Sequence, residues 1–127
     1  MIKYKNTLIF FLFNLLLSCQ NTANKKIEII VENKTEVNID SLSVTNWIDE
    51  FKINEFKKHD SVKIELGFEN PHFKGDGSYA VSYYIKGIKK FKDFGYYTNG
   101  YPTNSIYTLE IYHDTLIIKE EMKKKNR

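Results

Sequence analysis

Residues 78–85, which read Ser-Tyr-Ala-Val-Ser-Tyr-Tyr-Ile, decide the fold of this 127-residue chain. The large side chains of Tyr79, Val81, Tyr83 and Ile85 fall on alternate positions, which is the period of a β-strand. The positions between them are small or aromatic, so nearly the whole stretch can be buried. Strands that are buried on both faces have this composition. We therefore predict a central strand that needs partner strands on both sides.

Shorter stretches with strand character flank this central strand and are separated by turn signals. They cover residues 27–31, 37–44, 61–68, 91–97, 106–112 and 115–119. Together with the central strand, and with residues 46–58 if these form a strand, these stretches give seven to eight strands at intervals of about 8–12 residues. The spacing, without a convincing helix, predicts an all-β fold: a small antiparallel β-sandwich, immunoglobulin-like in general outline. It does not specify the strand order.

Two local features refine this prediction. The alternation before Asp40 continues one step out of phase after Ser41, which is the pattern of a β-bulge with one extra residue. Asn99-Gly100 accepts the positive φ angles of a type I′ turn, so we expect a β-hairpin there. Because Pro102 lacks an N–H group, the returning strand is predicted to start after it.

Residues 46–58 are ambiguous between helix and strand. Asn46 could cap a helix, since acidic residues follow it in the first turn. However, the apolar positions do not keep to one helical face, and Phe51 and Ile53 alternate as in a strand. We favour a strand.

The N-terminal segment has the pattern of a signal peptide. Residues 1–5 carry two lysines and no acid, and residues 7–17 are almost entirely apolar. This run is shorter than the roughly 20 residues of a membrane-spanning helix, but it fits the apolar region of a signal peptide. Small Ser18 then precedes Cys19, the only cysteine of the chain.

Leu16-Leu17-Ser18-Cys19 resembles the lipobox of bacterial lipoproteins, and the chain resembles small Bacteroidetes-type envelope lipoproteins. The resemblance implies cleavage before Cys19, lipidation of its thiol, and attachment to the membrane through that lipid. Gln20 in place of aspartate implies the outer membrane. Because no acidic cluster follows the cysteine, the periplasmic face is favoured over the cell surface. The alternative is an ordinary signal peptide or membrane anchor with a chance cysteine.

These signals divide the chain into four parts: a signal peptide at 1–18, a lipid-anchored tether at 19–25, a β-sandwich domain at 26–119 and a charged tail at 120–127. Removal of the signal peptide leaves seventeen basic residues against sixteen acidic ones. A nearly neutral domain has no basic face to attract phosphate, so nucleic acid is not an expected partner.

Residues that could carry chemistry are scattered. His59, His72 and His113 lie beside turn signals without further ligands at metal-binding spacing, so we expect no metal site. No nucleophile motif or cofactor-binding motif occurs. The sequence therefore predicts neither a cofactor nor an enzymatic activity.

The aromatic residues are more informative. Nine tyrosines and nine phenylalanines occur, many of them after residue 79. Since strand alternation cannot bury neighbouring pairs together, some must be exposed. We select Tyr96, Tyr97 and Tyr101 as a candidate binding face, because tyrosine offers flat amphipathic contact area. The alternative is that tyrosine is simply favourable on half-buried strands.

Three segments, Asp40-Ser41-Leu42, Asp60-Ser61-Val62 and Asp114-Thr115-Leu116, resemble the motif at which Bacteroidetes O-glycosylate exported proteins. The resemblance makes Ser41, Ser61 and Thr115 candidate glycosylation sites. Aspartate followed by a hydroxyl residue is also ordinary turn chemistry.

The sequence thus favours a lipid-anchored, non-enzymatic β-sandwich of the envelope that binds a protein or glycan partner. The alternative is an inhibitor or immunity-type lipoprotein that blocks an envelope hydrolase or a toxin.

Overall fold

The computed structural model describes residues 25–70 and 75–124. The signal segment and Cys19 therefore lie outside the described residues. Eight strands form within them, which confirms the predicted small β-sandwich. Their bounds are β1 Lys26–Asn33, β2 Ile39–Thr45, β3 Glu50–Phe56, β4 Ser61–Gly67, β5 Gly77–Ile85, β6 Ile88–Tyr97, β7 Ser105–Ile111 and β8 Leu116–Met122. Within the described ranges, no helix has the length and apolar character needed to cross a membrane.

The strands form two four-stranded sheets that pack face to face. One has the order β4-β1-β7-β8 and the other has the order β3-β2-β5-β6. Neighbouring strands are antiparallel except β1 and β7, which run parallel. The predicted antiparallel sandwich therefore contains one parallel pair of strands. The parallel pair arises because the chain crosses between the sheets before it enters β7.

β5 is the central strand that the alternation predicted. It pairs with β2 on one side and with β6 on the other. Tyr79, Val81, Tyr83 and Ile85 are all buried against the facing sheet. The apolar residues of β1 and β7 supply most of the opposing surface, and together they form one hydrophobic core.

The ambiguous segment forms a turn followed by a strand. Asn46 does cap a turn, because its Oδ1 atom accepts hydrogen bonds from the N–H groups of Ile48 at 3.0 Å and Asp49 at 2.6 Å. The chain then extends into β3 instead of continuing as a helix. The strand favoured for residues 46–58 is thus present from Glu50 to Phe56.

The predicted phase shift in β2 is real, but its cause differs from the prediction. Ile39 and Leu42 both face the core with two residues between them. However, Ile39 pairs with Phe56 and Ser41 with Asn54, so the register with β3 is constant. No extra residue is inserted, because β3 changes phase at the same level, where Glu55 has a φ angle of 60°. The prediction of a β-bulge with one extra residue in β2 was therefore wrong.

The turn at Asn99-Gly100 has the predicted conformation but a different role. Both residues have positive φ, 53° and 69°, and Thr98 and Tyr101 exchange backbone hydrogen bonds across them. The strands that follow and precede it lie in different sheets, since β6 and β7 do not pair. The predicted hairpin is therefore a crossing loop. Local turn chemistry fixes the turn but not the sheet that the chain enters next.

The domain also extends further than predicted. β8 continues to Met122, where it pairs with Ser105 at the start of β7. The first three residues of the predicted tail at 120–127 are therefore part of the sheet.

The sandwich has a proximal and a distal end. The proximal end is where β1 begins, and it holds the 46–49 turn, residues 67–70 and the 98–101 turn. The distal end is where β1 finishes, and it holds residues 34–38, 57–60, 86–87 and 112–115.

A cluster of aromatic rings fills the core towards the proximal end. Neighbouring ring centroids lie between 4.9 and 6.3 Å apart, at tilted or edge-to-face angles. Its members are Phe68, Tyr79, Phe94, Tyr97 and Tyr107. Such geometries are favourable beyond the area that the rings bury. The cluster joins the two sheets, because Tyr107 lies on β7 whereas Tyr79, Phe94 and Tyr97 lie on β5 and β6.

Gly95 allows this packing. Tyr97 pairs with Gly77 but Phe94 pairs with Tyr79, so two residues of β6 oppose one residue of β5. This is a β-bulge whose first residue, Gly95, has a φ angle of 56°. A Cβ atom at Gly95 would lie 2.6 Å from the Tyr107 hydroxyl oxygen. Glycine is thus required both for the backbone conformation and for the approach of the ring.

We expect Gly95→Ala to lower the free energy of unfolding by about 2–4 kcal/mol, through left-handed strain and overpacking together. The matched control is Gly87→Ala, since Gly87 also has a positive φ, 75°, but open space around it. The control should lose only about 1 kcal/mol. Urea denaturation measures both, and equal losses would show that the aromatic contact is unimportant.

Candidate functional site

The 46–49 turn is a rigid element at the proximal end. Besides the two hydrogen bonds to Asn46 Oδ1, the side-chain amide of Asn46 donates to the Gly67 carbonyl at 2.9 Å. The Asp49 carboxylate accepts from the Gly67 N–H at 3.0 Å. The Tyr97 hydroxyl donates to the Asn46 carbonyl at 2.6 Å. The turn is therefore connected to β4 and to β6 as well as to its own strands.

Trp47 projects from this turn into solvent. It is the single tryptophan of the chain, and its side chain is 64% exposed. Its φ angle is 69°, in the left-handed region that glycine and asparagine favour and bulky residues avoid. A tryptophan here neither fills the core nor suits the turn. Its presence is not explained by the stability of the fold.

The predicted binding face of three tyrosines is divided by the structure. Tyr96 and Tyr101 are 63% and 48% exposed at the proximal end. Tyr97 is buried, so its inclusion in the face was wrong. The reason is the bulge at Gly95, which turns Phe94 and Tyr97 inward and leaves Tyr96 outward.

We define the proximal patch as the exposed large apolar side chains at this end. It consists of Trp47, Tyr96, Tyr101 and Met122. Lys25 lies beside it, with its Nζ atom 4.7 Å from the centroid of the Tyr101 ring. This is a cation–π distance, so a positive charge borders the aromatic surface. Sequence reasoning missed Trp47 because its backbone conformation has no signature in the strand pattern.

The distal end carries a separate hollow. It has a volume of about 480 Å³ and lies between the loop after β1 and the β7–β8 turn. Val37, Tyr112 and Ile117 supply apolar lining, and the charged residues Lys34 and Asp114 stand at its edge. We call this the distal hollow. Its size lies within the range of ordinary ligand sites.

The strands β6 and β8 are edge strands of their sheets, and they leave the sandwich open on one side. Between them is a second, smaller hollow of about 240 Å³, lined by Tyr83, Lys90, Phe91, Lys92 and Leu116 among others. Phe91 and Ile88 on β6 are 55% and 61% exposed. The inward-facing Lys90 and Lys92 are exposed too, because β8 does not cover them. Such inward charges on an edge strand oppose uncontrolled strand pairing.

The three candidate glycosylation sites all lie in the distal half. Ser61 begins β4 and Thr115 is in the β7–β8 turn, and both are exposed. Ser41 is half-buried in β2, where it pairs with Tyr84. The structure thus places Ser61 and Thr115 where an enzyme could reach them, and Ser41 less so.

The two described histidines each contact an acidic side chain. His59 contacts Glu36 at 3.1 Å and His113 contacts its neighbour Asp114 at 2.8 Å, both at the surface. His72 lies outside the described residues. Within residues 25–70 and 75–124, no group of three or more potential metal ligands comes together.

The shortest ion pair among the described residues joins β7 and β8. Lys119 Nζ lies 2.7 Å from Glu110 Oε1 on the outer face of β7 and β8, and this hydrogen bond lowers the pKa of Glu110. In the core, burial raises the pKa of Tyr97 and Tyr107, so both phenols stay protonated at neutral pH and act as donors.

Comparison with known proteins adds little. No protein-family model matches the sequence, and a search of curated proteins finds no match. Among solved structures, a protein from Eubacterium rectale determined by NMR is similar, with 16% sequence identity and a TM-score of 0.49. The similarity covers 84% of this chain and 98% of that chain. It carries no argument about function, which must come from the residues themselves.

Tyr97→Phe should lower the free energy of unfolding by about 1–2 kcal/mol, because the Asn46 carbonyl loses its buried donor. Tyr79→Phe is the matched control. The Tyr79 hydroxyl is equally buried and has no hydrogen-bond partner among the described residues, so its removal should cost nothing. Thermal and urea unfolding of both variants test the difference. A Tyr97→Phe protein as stable as the control would contradict a structural role for this hydroxyl.

Proposed function

We propose that the protein is a lipid-anchored, non-enzymatic binding protein of the cell envelope, outer-membrane-attached and facing the periplasm. Its distal end holds a protein or glycan partner. The observation that carries the proposal is the distal hollow of about 480 Å³, which has apolar lining from Val37, Tyr112 and the exposed Ile117. It lies opposite the end where the tether joins.

The anchor rests on Leu16-Leu17-Ser18-Cys19 and on the position of the domain behind it. Cys19 is followed by only a short polar stretch before β1 begins at Lys26. A lipid on this residue would hold the domain by its proximal end. The distal hollow then points away from the membrane, where a partner can approach.

A protein partner suits the distal end better than a glycan. Phe91 and Ile117 are exposed apolar side chains in the linings of the two hollows, and apolar anchors in pockets dominate the energy of protein interfaces. The free edge of β8 also presents backbone N–H and C=O groups to which an extended segment can pair. Glycan sites depend more on flat aromatic platforms with polar groups beside them.

A blocking role uses the same surface. An inhibitor or immunity-type lipoprotein needs a stable scaffold with a protruding edge, and β6 from Ile88 to Asp93 is exposed along its length. The identity of the captured partner separates the two functions: a hydrolase or toxin supports blocking.

Cys19→Ala should release the protein from the membrane fraction and remove the mass of the lipid. Ser18→Ala is the control, because alanine keeps a small residue before the cysteine and should leave attachment unchanged. Cell fractionation and intact-mass measurement test both variants. Retention of the Cys19→Ala protein in the membrane would refute the lipid anchor.

A photo-crosslinking amino acid at position 117, beside the distal hollow, should give a discrete adduct in intact cells. The same group at position 52, on the outer face of the other sheet, serves as the control. Protease digestion of the adduct identifies a protein partner, and glycosidase digestion identifies a glycan. Adducts of equal yield from both positions, or from neither, would contradict a partner site at the distal end.

A further inference from the structure

We infer that the proximal patch rests on the phospholipid interface of the membrane, so that Trp47, Tyr96 and Tyr101 fix the orientation of the domain. The inference deepens the proposed function and rests on its lipid anchor. It names the occupant of the proximal end, a phospholipid bilayer, and leaves the distal end for the partner.

The length of the tether limits where the proximal end can be. Six residues lead from Cys19 to Lys25. Even fully extended, they span only about 20 Å. The first described residue lies next to the proximal patch, since Lys25 contacts the ring of Tyr101. A lipid on Cys19 therefore holds the patch within reach of the bilayer surface in any conformation of the tether.

The composition of the patch suits this location. Tryptophan and tyrosine concentrate at membrane interfaces, because an apolar ring carries a polar N–H or O–H group that remains hydrated. Lys25, which lies against the Tyr101 ring, can extend its ammonium group to the headgroups while its stem stays along the apolar surface. Met122 adds a flexible apolar side chain at the edge of the patch, and it is 73% exposed.

Trp47 gives the most specific support. An exposed tryptophan in a left-handed conformation weakens the fold, yet the turn beneath it donates a hydrogen bond to β4 and accepts one from β6. The ring is thus presented on a rigid support. A rigid support lowers the entropic cost of inserting the ring into an interface.

The charges favour contact through the rings over attraction to anionic lipid. Lysines at this end are accompanied by acidic groups, including Asp49 and Glu69. The Asp49 carboxylate is directed to the backbone N–H groups of Glu50 and Gly67, so it does not point away from the domain. With both signs present, binding should depend weakly on salt and should not require anionic lipid.

The single tryptophan allows a direct test. The lipidated protein is reconstituted into phosphatidylcholine vesicles, and Trp47 emission is recorded with acrylamide in the water or with brominated phosphatidylcholine in the bilayer. We expect the emission of Trp47 in vesicles to shift to shorter wavelength and to be quenched by the brominated lipid. Acrylamide should quench it several-fold less than it quenches the protein whose lipid anchor has been removed, measured in detergent-free buffer.

The matched control moves the tryptophan to the other end. In the double variant Trp47→Phe and Phe91→Trp, the reporter occupies an exposed site in the distal half. Its emission should be unchanged by vesicles, quenched by acrylamide and untouched by brominated lipid. Flotation of the vesicles reports attachment for both proteins.

The outcomes separate this inference from the proposed function. If both proteins float but Trp47 is as accessible to acrylamide as the tryptophan at position 91, the anchor stands and the orientation is overturned. If neither protein floats, the lipid anchor itself fails and the orientation fails with it. Quenching of the distal tryptophan by brominated lipid would show the reverse orientation.

Discussion

The hydrogen bond from the Tyr97 hydroxyl to the Asn46 carbonyl, 2.6 Å long, is the contact on which the proximal end depends. To make it, the Tyr97 ring must turn into the core, which requires the bulge at Gly95, and must pass close to Gly77. The same ring packs against Phe68 and Tyr79. One hydroxyl therefore links the end of β6, the β2–β3 turn and the aromatic cluster between the sheets.

This arrangement gives the two ends of the sandwich different properties. The proximal end is braced through the core, and its exposed residues stand on rigid turns. At the distal end, the start of β6 is exposed, and the distal hollow lies between the loop after β1 and the β7–β8 turn. Buried side chains of the Asn33-Thr35 network do hold the β1–β2 loop, but the open side between the edge strands remains. The rigid proximal end is suited to fixing the orientation of the domain on the membrane, and the open distal end is suited to binding a partner.

Sequence reasoning predicted what depends on local pattern. The alternation around Tyr79 identified β5 as central, and Asn99-Gly100 identified a type I′ turn. It could not predict the sheet entered after that turn, because this choice depends on contacts between distant strands. Tyr97 was assigned to a surface since the bulge that buries it is invisible in the alternation. Trp47 was missed for the same reason, as its left-handed backbone is set by the hydrogen bonds of the turn. Evidence for Cys19 comes from its motif, outside the described residues.

In the proposed orientation, the proximal end of the domain contacts the membrane and the distal end faces a binding partner. Amide NMR of the lipidated protein in nanodiscs that contain a paramagnetic headgroup lipid measures this orientation residue by residue. We expect loss of signal for residues 46–49 and 96–101, and full intensity for residues 86–91 and 112–117. Uniform intensities, or losses concentrated at the distal residues, would contradict it.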